Sequence, residues 1–165
     1  MKKMLIAVLA GGALLAPATP ALAQAAHPTL GPYGYGKVKL GMSAKKAKAT
    51  GKVALKRTAA RGTCSGWYFR AHPTKKSQVG LYISKKVGVA VIFAPKGVKT
   101  PEGIGIGSTM KQVKKAYPRL RYVMDTGRPY VSVPGNPKAY YEFFPEKDGI
   151  VAGVALGSST QDCVS

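Results

Sequence analysis

Few residues of this chain have the types needed for catalysis, and their spacing fits no catalytic arrangement. The histidines are His27 and His72, and no serine, histidine and aspartate can be combined by spacing into a nucleophilic triad. Glu142, Glu146 and Asp148 lie close together, and paired carboxylates can hydrolyse glycosides. A simpler interpretation is that Glu142 faces solvent on a strand while the other two flank a turn. We therefore expect no enzymatic activity, and we identify no catalytic, cofactor-binding or metal-binding residue.

A glycine-rich run at residues 103–108 has the sequence GIGIGS, which resembles a nucleotide-binding loop in composition. Its glycines have the wrong spacing for the dinucleotide fingerprint and for the phosphate-binding loop. Residues 40–41 stand at the equivalent place in the first half, so we interpret the run as the entry to a capped helix. Anion binding by the amides near Ser43 or Thr109 stays open as an alternative.

The first residues predict export of the protein. Residues 1–23 contain two lysines, an apolar run that Pro17 ends, and a small-x-small cleavage site. The apolar run is shorter than the roughly 20 residues of a spanning helix. Cleavage after Ala23 would release a secreted, extracellular protein with no membrane span. In that oxidising compartment Cys64 and Cys163 are expected to form a disulfide, because a metal or redox site would need CxxC spacing or neighbouring histidines.

Positive charge is concentrated in the first half of the chain. Removal of the signal leaves 24 basic residues against 6 acidic ones, a net charge of +18, and residues 24–101 contain 16 of the basic residues and no acidic one. Such charge indicates either a solvated, soluble surface or contact with a polyanion. We expect no nucleic acid partner, because no recognition motif is present. The candidate polyanion-binding residues are Lys45, Lys46, Lys48, Lys52, Lys75, Lys76, Lys85 and Lys86.

Aromatic residues on predicted strands are candidates for protein contact. Successive residues of a strand face opposite sides, so some of these rings belong to the core and others to a surface. If Tyr141 faces inward, its neighbour Tyr140 faces outward, and exposed rings on a sheet are common anchors in protein interfaces. The candidate protein-binding residues are Trp67, Tyr68, Tyr130, Tyr140 and Tyr141.

The elements that carry these residues are arranged as a tandem repeat. Residues 40–48 align without a gap with residues 106–114 at an offset of 66, and each segment predicts a short capped helix. Gly88 and Gly149 indicate a hairpin turn in each half, aligned at an offset of 61. Short apolar runs predict strands at 65–70, 79–84, 87–93, 120–125, 130–133, 139–144 and 150–156.

These elements predict an α+β fold of two tandem units. Each unit is expected to have a short helix, or a helix pair, packed on an antiparallel sheet of three or four strands. The predicted division is a signal peptide at 1–23, a flexible lead-in at 24–36, a basic first repeat at 37–94, a linker at 95–101 and a second repeat at 102–165.

Each repeat begins with a helix cap, Gly-Met-Ser at 41–43 or Gly-Ser-Thr at 107–109, and ends with a glycine-turn hairpin. This pattern resembles the repeat of the secreted β-lactamase inhibitory proteins and of the related small outer-membrane assembly lipoproteins, over residues 37–164. The resemblance implies two helix-plus-four-strand units that form a joined, concave sheet and grip a partner protein. The chain differs from the inhibitors in having one distant cysteine pair, and from the lipoproteins in lacking a lipidated cysteine. We recognise no residue of the inhibitory loops in this sequence.

Together these features predict a secreted, monomeric, non-enzymatic binding or inhibitory protein without a cofactor. We expect it to recognise a secreted or envelope protein through a sheet face. The alternative is a protein that binds an anionic polymer of the cell envelope through its basic first repeat.

Overall fold

The computed structural model describes residues 28–58 and 62–164. The predicted signal peptide and its cleavage site lie outside the described residues. The described residues contain two short helices, α1 at Ala44–Ala49 and α2 at Met110–Ala116, and neither is long enough to cross a membrane. A small antiparallel sheet contains β1 (Leu30–Gly31), β2 (Gly34–Tyr35) and β3 (Val38–Lys39).

The main structure is an antiparallel sheet of eight strands. In chain order these are β4 (Val53–Arg57), β5 (Cys64–Phe69), β6 (Leu81–Ser84), β7 (Gly88–Phe93), β8 (Arg121–Tyr122), β9 (Pro129–Val133), β10 (Asn136–Pro145) and β11 (Val151–Ser158). Their order in the sheet is β4-β5-β6-β7-β11-β10-β9-β8. The first four strands therefore run from one edge to the centre, and the last four run from the other edge to the centre.

The predicted α+β fold class is wrong, because the described residues form a mostly antiparallel β structure with two short helices. The two halves do not build separate helix-covered sheets. Strands β7 and β11 pair through Phe93 and Ala155, Ile92 and Leu156, and Val91 and Gly157. This pairing removes the free edge that each half would otherwise expose. The helices have six and seven residues, and each buries a single side chain, Ala47 or Val113.

The helix caps are as the sequence predicts. The Ser43 side chain accepts a hydrogen bond from the backbone N–H of Lys46, and the Thr109 side chain accepts one from that of Gln112. The loop before each helix then pairs with a central strand. The N–H of Gly41 donates to the Val89 carbonyl in the first half, and the N–H of Gly107 donates to the Val151 carbonyl in the second.

This pairing corrects the alignment of the two hairpins. Val89 and Val151 occupy equivalent positions, so the offset between the hairpins is 62 and not 61. The strand registers agree, because both hairpins have an irregularity at the same place. Ala90 is skipped between β6 and β7, and Ala152 is skipped between β10 and β11.

One face of the large sheet carries the main core. Ala47 of α1, Val113 of α2 and Leu30, Tyr35 and Val38 of the small sheet all belong to the same buried cluster, so both helices and the small sheet lie on this side. The lead-in predicted over 24–36 overlaps β1 and β2, and its described part is therefore ordered. The Tyr141 hydroxyl donates to the Leu30 carbonyl at 2.7 Å and ties the small sheet to the large one.

Candidate functional site

The second face of the large sheet, which we call the open face, has no helix or strand packed on it among the described residues. Alternation along the strands places a separate, smaller apolar cluster here, built on Ala90, Val91 and Ala155. Six aromatic side chains, each partly exposed, also point to this side: Tyr68, Tyr82, Phe93, Tyr130, Tyr140 and Phe144.

The structure divides the five predicted protein-contact residues between the two faces. Trp67 and Tyr141 are 6% and 0% exposed and belong to the main core. Burial therefore removes both from the candidate contact surface. Tyr68, Tyr130 and Tyr140 lie on the open face and are half-buried. Each buried ring is the chain neighbour of an open-face tyrosine, as strand alternation requires.

The centre of the open face carries a row of three rings that the candidate set omits. Tyr82 of β6 and Phe93 of β7 have ring centroids 6.1 Å apart, and Phe144 of β10 lies 6.4 Å from Phe93. Both separations fall in the range of favourable aromatic pairs. We call these three residues the aromatic row. They line a groove with a volume of about 930 Å³. Strand alternation alone could have assigned Tyr82 and Phe93 to one face of the sheet. It could not have shown that β7 pairs with β11.

The loop between β5 and β6 forms one wall of this groove. A side chain of the neighbouring edge strand holds the loop in place. The Lys56 ammonium donates to the carbonyl and the hydroxyl oxygen of Thr74, each at 2.8 Å. The Thr74 hydroxyl in turn donates to the Gln78 carbonyl at 2.9 Å. Because these hydrogen bonds fix both ends of the turn, the loop conformation that forms the wall does not depend on a bound partner.

Cationic side chains surround the aromatic row. Arg57 lies over the Tyr82 ring at 5.7 Å and donates to its hydroxyl at 2.6 Å. Arg128 lies 5.6 Å from the Phe144 ring at the other end. Lys75 and Lys96 line the groove, and none of the described residues that line it is acidic. The groove thus combines an apolar floor with a positive rim.

A smaller cavity of about 240 Å³ lies beside Tyr130 and Tyr140. Glu142, 7% exposed, forms an ion pair there with Arg128 at 2.7 Å. Burial raises the pKa of the Glu142 carboxyl, and the Arg128 charge opposes this shift. Burial, together with the negative charge of Glu142, also raises the pKa of Tyr140.

The three carboxylates considered for glycoside hydrolysis are not brought together as a catalytic pair. Glu142 is held in its ion pair on the open face, whereas Glu146 and Asp148 are exposed on the turn after β10. The Asp148 carboxylate accepts a hydrogen bond from the N–H of Ile150 and so stabilises that turn.

The predicted disulfide is present. Cys64 and Cys163 are bonded across 99 positions, with their Cα atoms 5.6 Å apart. The bond draws residues 159–164 back over the open face, where Cys163 and Val164 pack on the small apolar cluster. Asp162 lies close to both sulfur atoms, but bonded sulfurs offer no thiolate to a metal ion.

No protein-family model matches this chain, and no curated protein matches it in sequence. Its fold is similar to that of a solved structure, "Crystal structure of the uncharacterized protein yfeY from Escherichia coli". The TM-score is 0.50 at 14% sequence identity, and the alignment covers 78% of this chain and 99% of the other. At this identity the similarity concerns the fold alone. The resemblance to the β-lactamase inhibitory proteins stays a prediction.

The predicted polyanion-binding lysines do not form one surface. Lys45, Lys46 and Lys48 are exposed on α1, on the side of the sheet opposite to the groove, and Lys52 follows that helix. Lys75 lines the groove, and the exposed Lys76 is next to it. Lys85 and Lys86 are exposed on the turn between β6 and β7.

The predicted interpretation of the glycine run is confirmed, because residues 103–108 lead into the capped helix α2. The N–H of Gly105 donates to the Ser108 hydroxyl, and the N–H of Thr109 donates to the Gln112 side chain at 2.7 Å. These contacts occupy donors that an anion would need. The structure therefore adds no support to anion binding at this helix.

Proposed function

We propose that this chain is a secreted, non-enzymatic binding protein that contacts a partner protein through the open face. The aromatic row carries this proposal. Rings of Tyr82, Phe93 and Phe144, on a sheet face that no described helix or strand covers, offer the large, rigid apolar contact area on which protein interfaces depend. Inhibition of the partner would follow wherever the bound surface includes its active site.

The chemistry of the groove supports binding over catalysis. Its lining includes one histidine, His72, whose Nε2 lies 3.1 Å from the Tyr35 hydroxyl, and no described acidic residue. General acid and base catalysis needs a positioned pair of such groups. The disulfide supports secretion, since disulfides persist mainly in oxidising compartments.

Two tyrosines allow a matched test of this proposal. Tyr82 belongs to the aromatic row, whereas Tyr122 is 51% exposed on β8 and points to the other side of the sheet. The mature chain would be used to capture proteins from culture fluid and envelope extracts, and the captured partner would then be purified for affinity measurements. We expect Y82A to weaken binding by about 30-fold, as for an interface anchor worth ~2 kcal/mol, and Y122A to leave it unchanged.

Two results would contradict the proposal. One is the absence of any protein that binds wild type better than Y82A. The other is equal loss of binding in Y82A and Y122A, which would place the contact elsewhere. A photo-reactive group at position 82 provides an independent measurement, because only a partner seated on the open face would be cross-linked there. Assays of secreted hydrolases with the wild-type protein would test inhibition.

A second candidate function, binding of an envelope polyanion, is favoured by the arrangement of α1. Three of its six residues are exposed lysines, while Ala47 faces the core. Binding of this kind would weaken steeply with salt. Replacing Lys45, Lys46 and Lys48 by glutamine should then abolish sedimentation with anionic cell walls, and an unchanged or salt-insensitive association would exclude this role.

A further inference from the structure

We infer that the groove binds an extended acidic segment of the partner protein, with one apolar or aromatic side chain of that segment seated on the aromatic row. The inference depends on the proposed function and names the chemistry of the partner. It follows from the charge of the rim, from the size and lining of the groove and from the way its floor is hydrogen-bonded.

Most of the positive charge at the rim is not neutralised by described carboxylates. No described carboxylate lies within ion-pair distance of Arg57, Lys75 or Lys96, and the Arg57 guanidinium donates to the Tyr82 hydroxyl. The carboxylate of Glu142 balances part of the charge at the opposite end. Carboxylates of a ligand would form charge-assisted hydrogen bonds at this rim, and a basic segment would be repelled.

The groove is large for a small-molecule site. Its volume of about 930 Å³ lies near the upper end of the range for small-molecule sites, which is roughly 300 to 1,000 Å³. Its walls come from separate parts of the chain, including the loop before β6 and the segment after β7 with Pro95 and Lys96. A chain segment of a partner can contact these separate walls at the same time.

The floor requires recognition by side chains. The strands below the aromatic row, β6, β7, β11 and β10, all lie inside the sheet and are paired on both sides. Their backbone groups are therefore not free to add a further strand from a ligand. The floor presents aromatic ring surface, and the rim presents positive charge. A ligand must therefore supply an apolar side chain to contact the rings and carboxylates to contact the rim.

An anionic polymer without apolar groups would behave differently. It would interact with the lysines and arginines but gain nothing from the rings, so removal of a ring would leave its binding intact. An acidic segment with an apolar anchor needs both, and this difference makes the two ligands separable by experiment.

The test uses defined probes and the full mature chain. The first probe is a peptide of about seven residues with a central phenylalanine flanked by glutamates, and the second carries lysines in place of the glutamates. Polyglutamate serves as a polyanion without an anchor. Binding would be measured by fluorescence anisotropy at low and physiological salt with wild type, Y82A, Y82F and K75E/K96E. The matched control is K45E/K48E, which reverses two charges on α1, on the far side of the sheet.

We expect the acidic phenylalanine peptide to bind, and the lysine peptide not to bind. K75E/K96E and Y82A should each weaken the acidic peptide by about tenfold or more, whereas K45E/K48E should have no effect. Y82F keeps the ring and loses the Arg57 hydrogen bond, so it should retain most of the binding. Retained binding in Y82F would assign the loss in Y82A to the ring and not to the hydroxyl, and far-UV circular dichroism of Y82A would check that this variant is folded.

Other outcomes would overturn the inference. Polyglutamate binding as tight as that of the peptide, and equal in Y82A, would identify a simple polyanion site. Equal binding of the lysine peptide would exclude charge recognition. If a captured partner cross-links at position 82 while no acidic peptide binds, the acidic-segment inference fails and the proposed function stands. If nothing cross-links at position 82, the proposed function itself fails.

Discussion

Removal of the Cys64–Cys163 disulfide should lower the free energy of unfolding by several kcal/mol while leaving the sheet assembled. The bond closes a loop of 99 positions. For a loop of about 100 residues the chain-entropy relation gives roughly 4.7 kcal/mol, because the bond restricts the unfolded chain. The variant C64S/C163S and reduction of the wild type should show the same loss.

The folded sheet should survive because its two halves are joined independently. Strands β7 and β11 pair through backbone hydrogen bonds at Val91, Ile92 and Phe93, none of which needs the disulfide. Residues 159–164 are the part that the bond restrains directly. Their release would also weaken the packing of Val164 on the small apolar cluster of the open face.

Urea unfolding monitored by tryptophan fluorescence would measure the effect, with V164A as a control for packing alone. V164A should cost about 1 kcal/mol, since it removes two partly buried methyl groups. The double cysteine variant should lose about 3 to 5 kcal/mol and show a larger m-value, because its unfolded state is less compact. A loss below about 1 kcal/mol in the double cysteine variant would refute the reasoning. A loss in that variant no larger than the loss in V164A would refute it as well.

Three further substitutions test contacts seen in the structure. Burial raises the pKa of Glu142, so the folded state binds its proton more tightly than the unfolded state. This group therefore lowers stability as pH rises above the ordinary glutamate pKa of about 4. E142Q should remove that part of the pH dependence of unfolding. G157A places a Cβ against the Tyr140 ring and should cost about 1 to 3 kcal/mol in urea unfolding. Y141F leaves the Leu30 carbonyl without its buried donor and should cost about 1 to 3 kcal/mol, with faster amide exchange in the small sheet.

Each of these predictions has a matched control. For E142Q it is E146Q, which changes an exposed glutamate on the turn and should leave the pH dependence as in wild type. For G157A it is G31A, where an added Cβ would meet its nearest atom at 3.7 Å. For Y141F it is Y33F, whose hydroxyl bond to the Gly135 carbonyl is exposed and should matter little. Equal effects of a variant and its control would show that the named contact is not the cause.

The features that the sequence predicted correctly are local. The caps at Ser43 and Thr109 depend on residues within one helical turn, and the glycine at each hairpin turn needs a positive φ, which is 74° at Gly88 and 77° at Gly149. The disulfide spans 99 positions and is not local, but it was predictable because the chain contains two cysteines.

The features that were missed depend on distant contacts. Strands β1 to β3 have two residues each and so show no alternation, and Leu30 is buried only because β1 packs against the large sheet. Strand β4, at Val53–Arg57, is an edge strand with an exposed Leu55, so its pattern is equally weak. The fold class failed for a related reason, since nothing local to β7 indicates that β11 will pair with it.

The candidate site depends on a single step of register. At the offset of 61 that the turn glycines suggest, Tyr82 corresponds to Phe143, which is fully buried in the main core. At the observed offset of 62 it corresponds to Phe144, and the two rings flank Phe93 on the open face. A shift of one residue moves every side chain of a strand to the opposite face. The two turns have the same length, but Gly88 is the fifth residue after Ile83, whereas Gly149 is the fourth after Pro145. The glycine therefore marks the presence of each turn without fixing its register, and the aromatic row can be located only when the strand pairing is known.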